Sequence, residues 1–374
     1  MDHITIGLMS GTSLDGTDAV AMHFSPQGMK RLGHVYLPFS TELRAELAAL
    51  TLPGDNEIER MGDASVKLVK NYAQAVKTLL TRTALSPADI AAVGVHGQTI
   101  RHRPERGFTL QLNHPALLAE LVGIDVVADF RSRDVAAGGE GAPLVPAFHA
   151  ECFTGKVPRV ILNLGGIANI SVLPAKSSSA PLTGALGGVV GGDTGPANML
   201  LDTWMEKCCG LPYDKDGALA GSGRVDDALL TDLLDEPYFA LDFPKSTGRE
   251  LFSPAWLFEK TKRHASLTPE DTARTLVELT AVTVTDAVAR LAPEARELVL
   301  CGGGSFNPTL VNALRARFPG QVFDTRHLGV DPMEVEAAAF AWLASRFLTR
   351  EPGNLAAVTH AAGPRILGAL YPAA

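Results

Sequence analysis

Glycine, hydroxyl and carboxylate side chains gather in four short runs of this 374-residue chain, and each run follows an apolar stretch that reads as a strand. The first is Met9-Ser10-Gly11-Thr12-Ser13-Leu14-Asp15-Gly16-Thr17-Asp18. The others are Gly165-Gly166, Gly191-Gly192-Asp193-Thr194-Gly195, and Gly302-Gly303-Gly304-Ser305. A glycine in such a place lets backbone N–H groups approach an anion closely, and two of the runs lead into a helix N-terminus, whose partial positive charge favours phosphate. Any one run is explained by a tight turn alone; four with polar neighbours point to a nucleotide. The first run carries more hydroxyls and carboxylates than a hairpin needs, enough to meet phosphates and a hydrated Mg²⁺.

The elements that position these runs follow from periodicity. A hairpin is expected with strands over 4–9 and 19–24 and the polar turn 10–18 between them. Ile58, Met61, Leu68, Tyr72, Val76 and Leu79 have helical spacing and predict a helix over 58–80. Strands follow over 90–95, ending in His96-Gly97-Gln98-Thr99, and over 108–112, with Asn113 as an N-cap and Gly123 as the next helix stop. A further strand over 124–128 runs out into Asp129-Phe130-Arg131. At 160–164 and 167–173 the strand, glycine turn, strand pattern restarts, which suggests an internal duplication. Residues 176–188 read as a flexible hairpin tip. Asp193 is expected just ahead of a helix N-terminus with Pro196 in its first turn. Thr268 opens a helix to about 291, Asn307-Pro308 another, and 331–334 cap a last one toward 347 with Glu336 in its first turns. The reading is a two-lobed α/β chain with lobes 1–130 and 131–374, in which the 131–158 crossover and the C-terminal helix are free to return to the first lobe.

Composition narrows the partners. With 41 acidic and 33 basic residues and a net charge of −8, no broad positive field exists for nucleic acid or an anionic membrane. No uncharged apolar run approaches the roughly 18 residues of a membrane span. Four cysteines without a C-x-x-C pair argue against a disulfide framework or a zinc site, and the basic start of a signal peptide is absent, so a cytoplasmic protein is expected. Two nucleotide architectures fail. There is no G-x-x-x-x-G-K-[ST], and although Gly302 and Gly304 with Asp324, 22 residues beyond Gly302, imitate a dinucleotide fingerprint, Asn307 stands where its third glycine belongs.

The loop 7–18 resembles the signature of the anhydro-N-acetylmuramic acid kinase family, within the superfamily of sugar kinases, actin and heat-shock chaperone ATPases. Also similar to that family are His96-Gly97-Gln98-Thr99, Asp129-Phe130-Arg131, Gly141-Ala142-Pro143-Leu144-Val145-Pro146, Asn163-Leu164-Gly165-Gly166-Ile167-Ala168-Asn169, Asp193-Thr194-Gly195-Pro196, Lys245-Ser246-Thr247-Gly248-Arg249-Glu250, Cys301-Gly302-Gly303-Gly304 and Glu334-Val335-Glu336-Ala337. The resemblance implies an actin-like, ribonuclease H-like fold with duplicated domains and a nucleotide cleft between them. It implies an ATP- and Mg²⁺-dependent kinase that phosphorylates O6 of 1,6-anhydro-N-acetylmuramic acid, a cell-wall recycling product, as water opens the anhydro ring. By the same resemblance Asp193 is the catalytic base. Gly11, Thr12, Ser13, Leu14, Asp15, Gly16, Thr17 and Asp18 hold phosphates, and Asp15 and Asp18 reach the metal through water. Gly165, Gly166, Gly302, Gly303 and Gly304 complete the phosphate and adenosine surfaces. His96, Gln98, Thr99, Asp129, Arg131 and Glu336 meet the substrate, although Asp129 and Arg131 could equally form a structural ion pair. A homodimer is implied by likeness only. Two other activities stay open: a levoglucosan kinase, and an actin-like nucleotide-gated binding module.

Overall fold

The computed structural model describes residues 2–11, 13–176 and 189–373, so Thr12 and the 177–188 part of the expected hairpin tip lie outside the described residues. The chain forms two compact units, Met1–Cys152 with Glu334–Ala374, and Phe153–Met333. Residues 131–152 and 334–374 group with the first unit; the sequence bounds placed them in the second lobe while leaving the 131–158 crossover and the C-terminal helix free to return to the first.

The first unit is built on a six-stranded sheet ordered β13-β7-β4-β1-β2-β3. Its strands are β1 His3–Met9, β2 Gly16–Ser25, β3 Gly28–Pro38, β4 Ile90–Val95, β7 Val126–Ala128 and β13 Ala369–Tyr371, while β5 Gln98–Arg103 and β6 Phe108–Leu112 form a separate ribbon. The second unit has a five-stranded sheet ordered β10-β9-β8-β11-β12, from β8 Arg159–Leu164, β9 Ile167–Leu173, β10 Val190–Pro196, β11 Glu297–Cys301 and β12 Gln321–Asp324. The duplication is visible in the pairing. β1 is antiparallel to β2 and parallel to β4, as β8 is antiparallel to β9 and parallel to β11. The outer pairs match too: β2 with β3 and β9 with β10 are antiparallel, β4 with β7 and β11 with β12 parallel.

Alternation along β1 divides its side chains between two layers. Ile6 and Leu8 join Leu68, Tyr72 and Val76 of the helix Glu57–Thr83 in one core. Thr5 and Gly7 face the helix Val335–Leu348, with Thr5 Oγ1 donating to Ala341 O at 2.8 Å. A Cβ on Gly7 would lie 1.8 Å from Ala337 O, so the helix rests on bare strand backbone and this glycine serves packing, not a ligand. In the second unit Leu162, Leu164 and Ile170 pack with Leu276, Ala281 and Val288 of the helix Pro269–Leu291. Thr268 caps that helix, accepting from Asp271 N at 3.1 Å, and Asn307 caps Pro308–Arg317 from Leu310 N at 3.1 Å.

Three local expectations change. Met9 pairs with Asp18, and Gly16, Thr17 and Asp18 pair with Pro38, Leu37 and Tyr36, so the long β2–β3 ladder draws these three residues out of the turn and leaves 10–15 as the loop. Residues 191–196 are strand, not turn, because they pair with β9 at Asp193↔Asn169. The helix Asn198–Cys209 starts beyond them, and Pro196 closes the strand. The helix Pro115–Val122 is capped by His114, whose Nδ1 accepts from Leu117 N at 3.3 Å, while Asn113 Oδ1 accepts from His114 N at 2.9 Å. Among the described residues no helix is long and apolar enough to cross a membrane.

Candidate active site

In the first unit the loop after β1 is braced from below. Ser10 is buried, its Oγ 2.7 Å from Tyr72 Oη and donating to Gly97 O at 3.3 Å. Buried Gln98 donates Nε2 to Gly11 O at 3.1 Å, and its Oε1 has no partner among the described residues. Leu14 N closes a turn on Gly11 O at 3.2 Å, with Leu14 at φ 55 and its side chain in the core. Gly16 is covered by Leu37 and Tyr36, and Thr17 Oγ1 donates to Asn71 Oδ1 at 2.7 Å. Of the expected phosphate contacts, Leu14, Gly16 and Thr17 therefore have buried side chains or none to offer. Gly11, Ser13, Asp15 and Asp18 stay open, Ser13 Oγ donating to Asp15 Oδ1 at 2.9 Å.

The substrate-side residues form a second group. Arg131 donates Nε to His96 Nε2 at 3.0 Å and Nη1 to Gly141 O at 2.8 Å. A guanidinium is always a donor, so His96 Nε2 is an acceptor and the neutral ring carries its proton on Nδ1, buried beside the Ser10 and Gly97 backbone. Burial, with Arg131 beside it, holds the His96 pKa well below the usual range. Burial likewise lowers Arg131 to about 10, opposed by Glu336 and Asp134. Glu336 is open to solvent in the first turn of Val335–Leu348. Arg131 and Asp18 are the charges that act on it. The Asp129–Arg131 ion pair is not formed: Asp129 sits exposed at φ 58 and accepts from Ser132 Oγ at 2.5 Å. Thr99 Oγ1 accepts from Gln111 Nε2 at 3.2 Å across the β5–β6 ribbon.

In the second unit Asp193 is held at each end. Its Oδ1 accepts from Asn169 Nδ2 at 2.8 Å and its Oδ2 from Thr247 N at 2.9 Å. Its carbonyl accepts from Tyr238 Oη at 2.8 Å, and its N–H donates to Lys245 O at 2.9 Å. The β9–β10 register shifts between Asp193 and Gly195, a bulge that re-aims the side chain. Desolvation lifts the Asp193 pKa above the ordinary carboxylate range despite its two donors, and Glu250 adds to the rise. The result is a fixed carboxylate of increased basicity. Beside it, Ala197 N and Met199 N donate to Gly166 O, and Asn198 N to Gly165 O, at 2.9, 3.2 and 3.1 Å. This helix start is satisfied by the glycine turn and does not offer those amides to phosphate.

A model of the anhydro-N-acetylmuramic acid kinase family matches residues 3–373. The chain belongs to this family. It is 54% identical to the anhydro-N-acetylmuramic acid kinase of Burkholderia cenocepacia over 378 residues, covering 99% of this chain and 97% of that one. It is 51% identical to the kinase of the same name from Burkholderia pseudomallei over 381 residues, covering 99% and 98%. Among solved structures, the activator of the 2-hydroxyisocaproyl-CoA dehydratase from Clostridium difficile with bound ADPNP is similar at a TM-score of 0.47 and 14% identity, covering 94% of this chain and 97% of that chain, too distant to carry an argument.

Within this family chain, sequence reasoning missed two arrangements. The first is a line of charge behind Asp18. His34 Nε2 lies 2.8 Å from Asp18 Oδ1, His34 Nδ1 lies 3.3 Å from Glu334 Oε1, and buried Glu334 is gripped by both Arg31 Nε and Nη2. Its signal was β-strand register, since His34 can face Asp18 only once β2 and β3 pair. The second is Asp134, three residues beyond Arg131 and fully buried. It accepts from Gly141 N at 2.8 Å, Asn354 Nδ2 at 2.6 Å and Thr359 Oγ1 at 2.8 Å, and so fixes the turn that in turn holds Arg131. Asp134→Asn turns an amide NH₂ toward one of these donors whichever way it rotates. The expected loss is about 2 kcal/mol of stability, read as a lowered urea midpoint at unchanged m-value.

Proposed function

We propose that the protein transfers the γ-phosphoryl group of ATP to O6 of 1,6-anhydro-N-acetylmuramic acid while water opens the anhydro bridge, giving N-acetylmuramic acid 6-phosphate. The observation that carries this reading is the held, desolvated carboxylate of Asp193 in a chain of this family. O6 of an anhydro sugar is a bridging ether oxygen with no proton to remove, so a base acting on O6 itself has nothing to do. Asp193 instead takes a proton from water. The hydroxide adds to C1, the C1–O6 pair moves onto O6, and O6 bonds to the γ-phosphorus as ADP leaves. A base whose pKa is raised toward the working pH is the better proton acceptor.

Charge neutralisation and positioning provide the rest. Gly11, Ser13, Asp15 and Asp18 line the open part of the first loop, and Thr12 belongs to the same run. Gly11, Gly165, Gly166 and Gly303 share a property: a Cβ built on any of them would meet nothing closer than 3.6 Å. Nothing in the fold demands glycine there, which supports a role in letting phosphate oxygens come close. Mg²⁺ keeps its waters and takes one or two carboxylates with the phosphates, which suits the aspartates of the first run. Asp15 and Asp18 would hold it through water, where it would neutralise β- and γ-phosphate charge. A cavity of about 320 Å³ beside Ser305, with Phe306 exposed and Arg326 over its ring at 5.7 Å, offers flat surfaces suited to adenine. On the substrate side, Arg131 is the group to meet the lactyl carboxylate, with His96, Gln98, Thr99, Asp129 and Glu336 around it. The family likeness also implies a cytoplasmic homodimer, whose mass sedimentation would read.

The test is mass spectrometry of products formed from ATP, Mg²⁺ and a panel of anhydro sugars in ¹⁸O-labelled water. The expected product is a muramic acid 6-phosphate with one ¹⁸O at C1. A phosphosugar with an intact, unlabelled bridge overturns the coupled mechanism, faster turnover of levoglucosan overturns the substrate, and ATP hydrolysis without any phosphosugar points to the nucleotide-gated module.

A further inference from the structure

Lys245 is half-buried, its ammonium packed against backbone carbonyls and ring faces. Its Nζ donates to Tyr238 O at 2.9 Å and Phe239 O at 3.1 Å, and lies 4.5 Å from the centroid of the Tyr238 ring and 5.0 Å from that of Phe243. Among the described residues no carboxylate stands within ion-pair distance of it, and Asp242 acts on it only from farther off. An ammonium so placed is stabilised by carbonyl dipoles and ring quadrupoles, so it ties the 237–240 turn to its own irregular segment. Desolvation lowers its pKa, Arg290 adds to the fall and Asp242 opposes it. Both tied segments end on Asp193: the Lys245 carbonyl takes the Asp193 N–H, and the Tyr238 hydroxyl donates to the Asp193 carbonyl. Two residues beyond Lys245, Thr247 N reaches Asp193 Oδ2. Three of these bonds make a closed ring, Asp193 to Lys245 to Tyr238 and back, and the fourth, from Thr247 N, is its branch to the carboxylate.

We propose that Lys245 and Tyr238 are positioning residues for the reaction, a cation–aromatic clamp that sets where the Asp193 carboxylate stands and keeps the Thr247 amide on it. The proposal rests on Asp193 being the base. Neither side chain touches the carboxylate, so their effect passes through the Asp193 backbone and the 245–247 segment. The charged or titratable groups that face Asp193 are then Glu250 and Tyr238. If the clamp slackens, the Thr247 N–H leaves Oδ2, and the charged carboxylate loses a donor. Its pKa must rise, and the acid limb of the pH–rate profile must move to higher pH.

The experiment compares Tyr238→Phe, Lys245→Met, Lys245→Arg and Asp193→Asn in the full-length protein, measuring thermal midpoint, KM for ATP, kcat and its pH profile. Tyr238→Phe removes one oxygen and keeps the ring under Lys245. It is expected to lower kcat about tenfold with KM for ATP within twofold and a nearly unchanged midpoint. Lys245→Met is expected to lower kcat further and shift the acid limb upward, and Lys245→Arg, which keeps a cation able to donate and to stack, to recover most of the loss. Unchanged kcat and an unmoved acid limb in Tyr238→Phe and Lys245→Met overturn the clamp, provided Asp193→Asn is inactive. Retained turnover in Asp193→Asn overturns the base itself, which separates the two failures. A fall in midpoint that accounts for all lost activity in Lys245→Met, with Tyr238→Phe at wild-type kcat, reduces the clamp to ordinary packing and also overturns it.

Discussion

Asp193→Asn lowers kcat by at least about a thousandfold, equivalent to about 4 kcal/mol of barrier at roughly 1.4 kcal/mol per tenfold, while the dissociation constant for ATP changes by less than about twofold. The substitution is nearly isosteric. Asn keeps one oxygen for either Asn169 Nδ2 or Thr247 N and turns an NH₂ toward the other, a local penalty of about 1–2 kcal/mol. It cannot take a proton from water. Its partners Asn169, Tyr238, Lys245 and Thr247 all belong to the second unit, so nucleotide affinity measured by titration calorimetry should survive. Single-turnover kinetics separate the outcomes: a burst of phosphosugar at more than a tenth of the wild-type rate would move the base elsewhere. The pH profile of the wild type gives an independent reading. Burial raises the Asp193 pKa, so activity should fall on the acid side at a pH above the usual carboxylate range, and that limb should vanish from whatever activity Asp193→Asn retains.

Particular residues show how much of this was legible in the sequence. The hairpin of β1 and β2, the helix Glu57–Thr83 and the start of β8 and β9 could be read because apolar periodicity is a local signal, and the repeated strand, turn, strand motif announced the duplication that the sheet orders bear out. What could not be read was decided by pairing across the chain. Gly16, Thr17 and Asp18 look like turn residues until β3 pairs with them, and Gly191 to Pro196 look like a glycine turn until β9 does. His34 and Glu334 lie 300 residues apart, and although Glu334 opens a recognised block nothing local ties it to His34, yet they meet behind Asp18. Lys245 stood inside a recognised block, but its aromatic and carbonyl surroundings are a property of the fold alone. Glycine, too, proved to be two populations: some, like Gly7, let a helix touch a strand, and others have open space where a side chain would go.

That division is open to direct test. Gly302 has φ 78, and a Cβ there would lie 2.4 Å from Asn163 Oδ1 and 2.9 Å from the Leu164 carbonyl carbon and oxygen. Left-handed backbone costs a non-glycine residue about 1–2 kcal/mol, and overpacking about 1–3 more. Gly302→Ala is therefore expected to destabilise the second unit by about 3 kcal/mol, a fall of roughly 10 °C in thermal midpoint by calorimetry. Gly166→Ala is the contrasting case. Its Cβ would stand 3.6 Å from Met199 Cβ, ordinary contact, so the midpoint should stay within roughly 1–2 °C, in line with a change of about 0.5 kcal/mol or less. If a phosphate oxygen uses that opening, the added methyl excludes it and KM for ATP rises at least about tenfold, roughly 1.4 kcal/mol of lost binding. A stable Gly166→Ala with unchanged KM would remove this turn from the nucleotide site, and a Gly302→Ala as stable as the wild type would mean that the β8–β9 turn yields to the added methyl. Both glycines lie in motifs of the same appearance, and only the space around each decides whether its replacement is felt by the fold or by the ligand.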